Sequence, residues 1–213
     1  MRVILIHSPK GGSGKTTISR ELAVAATRAG RRAALIDLDP QSTLTGWFGR
    51  RQAETPLLLS APAGLDFSGL RNAGLDELLI DTPPGQPPFL ANLFRQADAV
   101  LVPVRPSPDD LLAAATVAEN LTVGGHPAWA FVLTQTPARS RLADSALRQL
   151  AGLGRVAPVS LGFRTDYPTA AVSGTAGVEY PGTKSEAEVT QLRAYVDTLI
   201  GMKTRKRNVK TKG

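Results

Sequence analysis

Two lysines share one glycine-rich segment that could bind phosphate, Lys10-Gly-Gly-Ser-Gly-Lys-Thr-Thr17. The segment follows a short apolar run and precedes a helical pattern. Glycines let backbone N–H groups approach phosphate oxygens closely, and the N-terminus of the following helix adds the positive end of its dipole. We therefore expect Lys15 to reach the β- and γ-phosphates of a nucleotide and Thr16 to offer its hydroxyl to Mg²⁺.

The segment departs from the common P-loop pattern G-x4-G-K-[ST], because Pro9 stands at the first glycine position and Lys10 follows it. Phosphoryl transfer builds charge on phosphate oxygens, and a cation supplied by a neighbouring subunit can accelerate it by about 10³–10⁵-fold. Lys10, five residues before Lys15, is placed to serve a neighbouring active site. The alternative is that Lys10 is a counter-ion to phosphates bound by its own chain.

Three aspartates end apolar runs that are typical of buried strands. Asp37 and Asp39 close the segment ALIDLDPQ, and Asp81 closes LLID. Because the carboxyl ends of parallel strands are where ligands bind in α/β folds, we expect all three to face the phosphate segment. Side chains alternate along a strand, so Asp37 and Asp39 share a face. A helix N-cap would explain one of these two acids, but not both.

The elements that must position these residues alternate along the chain. Apolar runs predict strands at residues 2–7, 33–37, 57–61, 75–81, 97–104, 128–135 and 156–161. Helical patterns cover residues 15–29, 107–123, 140–151 and 183–200, with a short helix after Pro40. This alternation predicts an α/β fold with a mostly parallel, twisted sheet and helices on both faces.

Composition limits the classes of function. The chain has 213 residues, of which 42% are hydrophobic and 20% charged, as in ordinary globular domains. It contains no cysteine, which excludes disulfides, thiolate catalysis and cysteine-ligated zinc or iron–sulfur clusters. The sequence has neither a transmembrane-length apolar run nor a secretory signal pattern, so we expect a cytoplasmic protein.

The net charge of +7 is concentrated at the C-terminus. Residues 202–213 hold six Lys and Arg and no acid, whereas residues 1–201 hold nineteen bases against eighteen acids. We predict a domain over residues 1–201 and a basic, disordered tail over 202–213. The tail lacks the apolar face that a membrane-binding helix needs, so nucleic acid is the expected partner. The alternative is a tail that only aids solubility.

Four motifs together resemble the ParA-type partition ATPases, which are deviant-Walker P-loop proteins of the ParA/MinD group. They are K-G-G-x-G-K-T-T, I-D-x-D-P-Q, L-I-D-T-P-P and the segment PVRPSPDDL at residues 103–111. The resemblance implies a P-loop NTPase fold, with ATP and Mg²⁺ as cofactors. Because the chain starts at its first strand, we expect the small ParA type, without an N-terminal helix-turn-helix domain.

The resemblance also implies a role for each matching residue. Lys15 is similar to the family's phosphate-binding lysine, Lys10 to the lysine that crosses a dimer interface, and Asp39 to the acid that positions the attacking water. The implied nucleotide contacts are Gly11, Gly12, Ser13, Gly14, Lys15, Thr16, Thr17 and Pro106. The implied magnesium residues are Thr16, Asp37 and Asp81. The expected DNA contacts are Arg164, Lys203, Arg205, Lys206 and Arg207, and Gln135 is expected near the adenine pocket.

The function implied by this resemblance is ATP-dependent partition. An ATP-bound homodimer would bind non-specific DNA, and an adaptor or centromere-binding protein would stimulate hydrolysis and release. That function implies a nucleoid-associated protein. Three alternatives stay open: the same ATPase positioning a protein cargo such as a microcompartment or chemotaxis cluster, a metabolic P-loop ligase or kinase, and a nucleotide-gated scaffold that hardly hydrolyses ATP.

Overall fold

Strands and helices alternate in the computed structural model, which describes residues 1–126 and 128–210. The strands are β1 Arg2–Ile6, β2 Ala33–Asp37, β3 Leu57–Leu58, β4 Glu77–Asp81, β5 Ala99–Val104, β6 Trp129–Thr136 and β7 Leu161–Gly162. The α-helices are α1 Lys15–Arg28, α2 Thr43–Phe48, α3 Leu90–Gln96, α4 Pro108–Val123, α5 Arg141–Leu153, α6 Asp166–Val172 and α7 Lys184–Lys210. Short 3-10 turns cover Ala63–Leu65, Ser68–Asn72 and Gly177–Glu179.

The seven strands form one parallel sheet in the order β3-β2-β4-β1-β5-β6-β7. Every residue of β4 and β5 is buried, because helices cover both faces of the sheet. Each parallel pair needs a crossover connection, and the helices supply it. The predicted α/β architecture is confirmed.

The register of the central strands brings the acidic residues to the phosphate segment. Asp81 of β4 lies opposite Ile6 of β1 on one side and opposite Asp37 of β2 on the other. The backbone N–H of Leu38 also donates to the carbonyl of Asp81 at 2.9 Å. The carboxyl ends of three adjacent strands therefore form one edge, and the segment after β1 folds over it.

Two apolar layers enclose the sheet. One contains Ile18 and Leu22 of α1 together with Val189 and Val196 of α7. The other contains the buried residues of α3, α4 and α5. Trp129, which we expected in the core, is buried in this second layer.

A buried ionic cluster closes the opposite edge of the sheet. Glu77, at the start of β4, is fully buried and accepts hydrogen bonds from Arg2, Arg31 and Arg193. Asp197 of α7 accepts from the same three arginines. Three positive charges around two negative ones offset the cost of burying Glu77, and they join α7 to the first strands.

Four details differ from the sequence predictions, of which the first is that the strand expected over 57–61 is reduced to β3, Leu57–Leu58. The strand expected over 156–161 is reduced to β7, with a single bridge between Val156 and Phe131 before it. Helices α3 and α6 were not predicted, because seven residues each are too few to display a helical period. The last helix does not end near Ile200 but continues to Lys210.

This extension agrees with the composition of residues 202–210, which are rich in Lys and Arg, both good helix formers. The boundary at residue 202 is thus not marked by a helix end, and the division into a domain and a disordered tail stays a prediction. The side chains of Lys203, Arg205, Lys206 and Arg207 lie outside the described part of the chain. None of the helices in the described residues is long and apolar enough to cross a bilayer.

Candidate nucleotide site

The phosphate segment is a loop between β1 and α1 that depends on glycine at its last position. Gly14 has φ +97°, a conformation that side chains disfavour, and α1 begins at the next residue. A Cβ on Gly14 would lie 3.4 Å from Cγ2 of Thr134, so β6 approaches the loop closely. The backbone angle therefore favours glycine here, while the contact with Thr134 is at ordinary van der Waals distance.

Side chains at the end of β6 hold the loop from one side. The hydroxyl of Thr134, which is buried, donates to the carbonyl of Ser13 at 2.8 Å. The amide of Gln135 donates to the carbonyl of Gly12 at 2.6 Å. Thr134 was missed in the sequence because nothing local distinguishes it from a core strand residue.

Two further bonds hold the start of the loop. The N–H of Gly85, in the turn after β4, donates to the carbonyl of Pro9 at 2.9 Å. The ammonium of Lys15, which is buried, donates to the carbonyl of Lys10 at 3.1 Å. Three loop carbonyls thus accept bonds from other elements, and a fourth accepts from Lys15.

The N–H groups of the loop glycines, unlike the loop carbonyls, do not bind the surrounding elements that the structure describes. Within residues 1–126 and 128–210, no hydrogen bond joins the N–H of Gly11, Gly12 or Gly14 to another group. These donors and the N-terminus of α1 form the kind of cradle that binds phosphate. The predicted nucleotide contacts are therefore assembled as one loop.

Asp81 and Thr16 meet beside the loop, as predicted for magnesium residues. The Thr16 hydroxyl donates to Oδ2 of Asp81 at 2.6 Å, while Oδ1 is buried and has no hydrogen-bond partner among the described residues. Burial raises the pKa of Asp81 to about 7, against the opposing effect of the Thr16 bond. A hydroxyl and an unsatisfied carboxylate oxygen, both hard oxygen donors, fit a Mg²⁺ ion that also binds nucleotide phosphates.

The two other acids are half-buried and hydrogen-bonded locally. Asp37 accepts from the backbone N–H and hydroxyl of Thr45 in α2, at 2.9 and 3.0 Å. Asp39 accepts from the N–H of Gln41 at 3.0 Å, which closes a tight turn. Asp37 thus anchors α2 as well as facing the site, and Asp39 lies in a turn directly after β2.

His7 lies between the loop and β4. It is fully buried, and its Nδ1 is 2.9 Å from the hydroxyl of Thr82, which itself donates to the carbonyl of Ile6 at 3.0 Å. Because the Thr82 proton goes to Ile6, His7 must donate from Nδ1, and its Nε2 has no partner in the described part of the chain. Burial and the positive charge of Lys15 lower the pKa of His7 to about 4, so the imidazole is neutral.

An apolar cavity of about 300 Å³ continues from Gly14 and Thr17 along the ends of β6 and β7. Its other lining residues include Gln135, Leu161, Phe163, Arg164, Tyr167 and Pro168. It has the size and lining of a pocket for a flat aromatic base, next to the phosphate loop. Gln135 lies at this cavity, and its place beside an adenine stays a prediction.

Arg164, the expected DNA contact, makes a different interaction. Its guanidinium donates to Oε1 of Glu188 at 2.8 and 2.5 Å, and Tyr167 donates to the same carboxylate. Arg164 therefore lines the apolar cavity and is paired with Glu188. Its role toward DNA stays a prediction.

The proline-rich segment after β5 also reaches the loop. Pro106 is buried, and the preceding residue, Arg105, extends beside Gly12. Arg105 was not among the predicted site residues, although it lies in the segment that carried the resemblance. Its position depends on how the turn after β5 folds, which no local pattern specifies.

Comparison with known proteins agrees with this geometry. The family model described as "CobQ/CobB/MinD/ParA nucleotide binding domain" matches residues 4–209. "Maintenance of carboxysome distribution protein A" of Halothiobacillus neapolitanus is 33% identical over 208 residues, which cover 92% of this chain and 95% of that protein. "Chromosome-partitioning ATPase Soj" of Thermus thermophilus is 33% identical over 137 residues, covering 49% of this chain and 55% of that protein.

Solved structures share the fold. MinD in the MinC:MinD cell division complex of Aquifex aeolicus has a TM-score of 0.77 at 17% identity, covering 93% of this chain and 96% of that one. Apo McdA of Cyanothece has a TM-score of 0.74 at 20% identity, covering 90% and 98%. The resemblance predicted from four motifs is confirmed: the chain belongs to the CobQ/CobB/MinD/ParA nucleotide-binding family and is an ATPase of the ParA type.

Proposed function

We propose that the ATP-bound chain forms a homodimer that binds DNA non-specifically, and that an adaptor protein stimulates hydrolysis and release. Repeated binding and release would segregate a plasmid or chromosome. The observation that carries the proposal is the arrangement of Lys10. Its carbonyl binds the ammonium of Lys15, while its own ammonium makes no hydrogen bond or ion pair with any described residue. A second lysine is therefore available to a neighbouring subunit's phosphates.

The chemistry of the cycle follows from the residues around the loop. Lys15 would bind the terminal phosphates, and Thr16 and Asp81 would hold Mg²⁺, which neutralises charge on the phosphate oxygens when bound. Asp39 would hold the attacking water in line. The water oxygen forms a bond to the γ-phosphorus, the bond to the bridging oxygen breaks, and the water's proton leaves with phosphate or solvent.

The proposed DNA surface rests on charge. Six of the 25 Lys and Arg fall within residues 202–213, where a duplex would be bound through its phosphates rather than its bases. Arg164 is paired with Glu188, so the C-terminal bases would contribute the larger share.

A second candidate differs only in cargo. The relative named for maintenance of carboxysome distribution matches over almost its whole length, which supports the positioning of a protein microcompartment. Deleting the gene in the native cell separates the two. Loss of plasmid or chromosome inheritance supports partition, whereas clustered microcompartments with normal inheritance support the second candidate.

The central experiment measures ATP hydrolysis with and without non-specific duplex DNA, together with DNA affinity at several salt concentrations. We expect DNA to bind only with ATP present and to alter the hydrolysis rate. If about three tail bases contact phosphate, deleting residues 203–213 should reduce the slope of log affinity against log salt by about 2.7.

The outcomes separate the alternatives. An unchanged slope after the deletion would assign DNA binding to the body and make the tail a solubility device. ATP turnover that neither binds nor responds to DNA would instead favour a metabolic ligase or kinase.

A further inference from the structure

Arg105 presents one arm of its guanidinium to the phosphate loop. Its Nε and Nη2 donate to the two carboxylate oxygens of Asp110, at 2.9 and 3.1 Å. The remaining nitrogen, Nη1, lies 3.5 Å from the point where a Cβ on Gly12 would lie. A forked pair with Asp110 thus leaves both N–H groups of Nη1 beside the loop.

Asp110 fixes this orientation. It lies in the first turn of α4, is 4% exposed, and also accepts from the hydroxyl of Ser107 at 2.5 Å. Burial alone would raise the pKa of Asp110, but the hydrogen bonds from Arg105 and Ser107 outweigh it and hold the pKa below its usual value. The carboxylate therefore stays ionised and holds the guanidinium in one bidentate geometry.

We propose that Arg105 is a further catalytic residue, whose Nη1 donates to the terminal phosphate of ATP bound in the loop of the same chain. It keeps its protons throughout and stabilises the charge that develops as the bond between the γ-phosphorus and the bridging oxygen breaks. The proposal rests on ATP hydrolysis at this loop. It does not depend on DNA binding or on the identity of the cargo.

Three features support this role. A guanidinium is charged at every working pH and offers two donors on one nitrogen, which suits a phosphate with several equatorial oxygens. Arg105 is about one-third exposed, so its free arm meets the open side of the loop. Because Asp110 holds the group in place, little reorganisation is needed during the reaction, which is the condition for large electrostatic stabilisation.

The alternative is that Arg105 only neutralises a buried carboxylate. The double variant Arg105→Gln with Asp110→Asn separates the two roles, because it replaces the ion pair with a neutral hydrogen-bonding pair and leaves no unpaired charge. If Arg105 is catalytic, kcat falls by about 10²-fold in this variant, as for loss of a transition-state donor elsewhere. ADP affinity stays within about 2-fold of wild type, because ADP lacks the terminal phosphate.

Control variants define the background. Arg31→Gln removes a comparable forked pair, with Asp197, at the opposite edge of the sheet, and should leave kcat unchanged. Lys15→Ala should lose both ADP and ATP binding. If the phosphate loop is wrongly assigned, Lys15→Ala will keep its nucleotide affinity, and this failure is distinct from the outcome of the Arg105 variants. The single variant Arg105→Lys keeps the charge near Asp110 but lacks the second arm, and should stay at least about 10-fold below wild type.

Two results with the Arg105 and Asp110 double variant would overturn the proposal. One is wild-type kcat in the double variant. The other is a fall in kcat matched by an equal loss of ADP affinity, which would indicate a distorted loop. Mixed dimers of Arg105→Gln and Lys10→Ala test the same-chain assignment: if Lys10 acts across the dimer and Arg105 within its own chain, one intact site forms and activity returns. If Lys10 is shown to act across the interface and these mixed dimers form but recover no activity, then Arg105 does not act within its own chain.

Discussion

At the scale of residues, Asp81 lies in the nucleotide site, and burying its carboxylate in ionised form lowers the stability of the fold. Its pKa is raised to about 7, so the nucleotide-free protein is stabilised by a protonated Asp81, and this stabilisation is lost as the pH rises through about 7. Because asparagine does not ionise, Asp81→Asn should not lose stability at high pH in this way. We expect the gain in free energy of unfolding of the variant over wild type to be larger at pH 8 than at pH 5, by on the order of 2–3 kcal/mol, and the variant to lose hydrolysis.

Urea denaturation at the two pH values measures this gain. Asp144→Asn, an exposed acid of α5, is the matched control and should show the same small difference from wild type at both pH values. An equal effect of Asp81→Asn at pH 5 and pH 8 would mean that Asp81 is already ionised in the nucleotide-free fold.

His7 should make stability depend on pH in the opposite direction to Asp81. Its pKa is lowered to about 4, so the unfolded chain takes up a proton near pH 6.5 that the folded chain refuses until about pH 4. Stability is therefore present above pH 6.5 and falls as the pH drops toward 4. His7→Asn keeps a donor for Thr82 without titrating, and its profile should be flatter by about 1 kcal/mol per pH unit in this range. Parallel unfolding profiles for the two proteins would contradict this assignment.

At the scale of elements, α2 is clamped to the segment after α6. Trp47 is buried and donates from its indole to the carbonyl of Thr175 at 2.9 Å. Gly174, with φ +70°, packs so closely that a Cβ would lie 2.3 Å from the backbone nitrogen of Arg51. Because Thr45 of the same helix binds Asp37, the clamp also fixes one acid of the nucleotide site.

Gly174→Ala tests this clamp against Gly182→Ala. Both glycines have positive φ, but a Cβ at Gly182 would meet no atom of the described residues within 4 Å. The backbone cost of about 1–2 kcal/mol is common to both, whereas the clash adds about 1–3 kcal/mol only at Gly174. Chemical denaturation and ATPase assays should therefore find Gly174→Ala less stable and slower than Gly182→Ala. Equal stability would mean that the contact relaxes without cost.

The elements also explain which features the sequence predicted. The phosphate loop, Asp37 and Asp81 are specified locally, by glycines before a helix and by acids at strand ends, so their positions could be read from spacing. Arg105 meets Gly12 only because the turn after β5 folds back toward β1. The pairing of Arg164 with Glu188 likewise joins residues 24 positions apart, and no periodicity encodes it.

At the scale of the whole molecule, the proposed dimer makes a sharp prediction for mixtures of variants. Lys10→Ala and Asp39→Ala should each hydrolyse ATP slowly as homodimers. In the mixed dimer, a Lys10 that acts across the interface would leave one site without either change, so part of the ATPase rate should return. Absence of recovery, with mixed dimers verified by mass, would place Lys10 at its own chain's phosphates.

The mostly parallel α/β architecture was predictable from the sequence, whereas the strand order and the dimer were not. Buried strands alternating with helices admit few arrangements, because parallel crossovers need a helix between strands. The far edge of the sheet, where Glu77 gathers three arginines, left no trace in the sequence beyond scattered charges. Assembly depends on surfaces whose complement is a second chain, which one chain's patterning does not encode.

The anchoring of the loop carbonyls by Gly85, Thr134 and Gln135 affects the entropy of nucleotide binding. Ordering a backbone residue costs about 1–2 kcal/mol of entropy, and a loop already held by Gly85, Thr134 and Gln135 has met this cost during folding. Calorimetry should therefore find a small conformational entropy loss when ADP binds. In Thr134→Val the entropy loss on binding ADP should grow, while the binding enthalpy changes little. The resulting loss of ADP affinity would measure how much the Thr134 hydrogen bond orders the loop before the nucleotide binds.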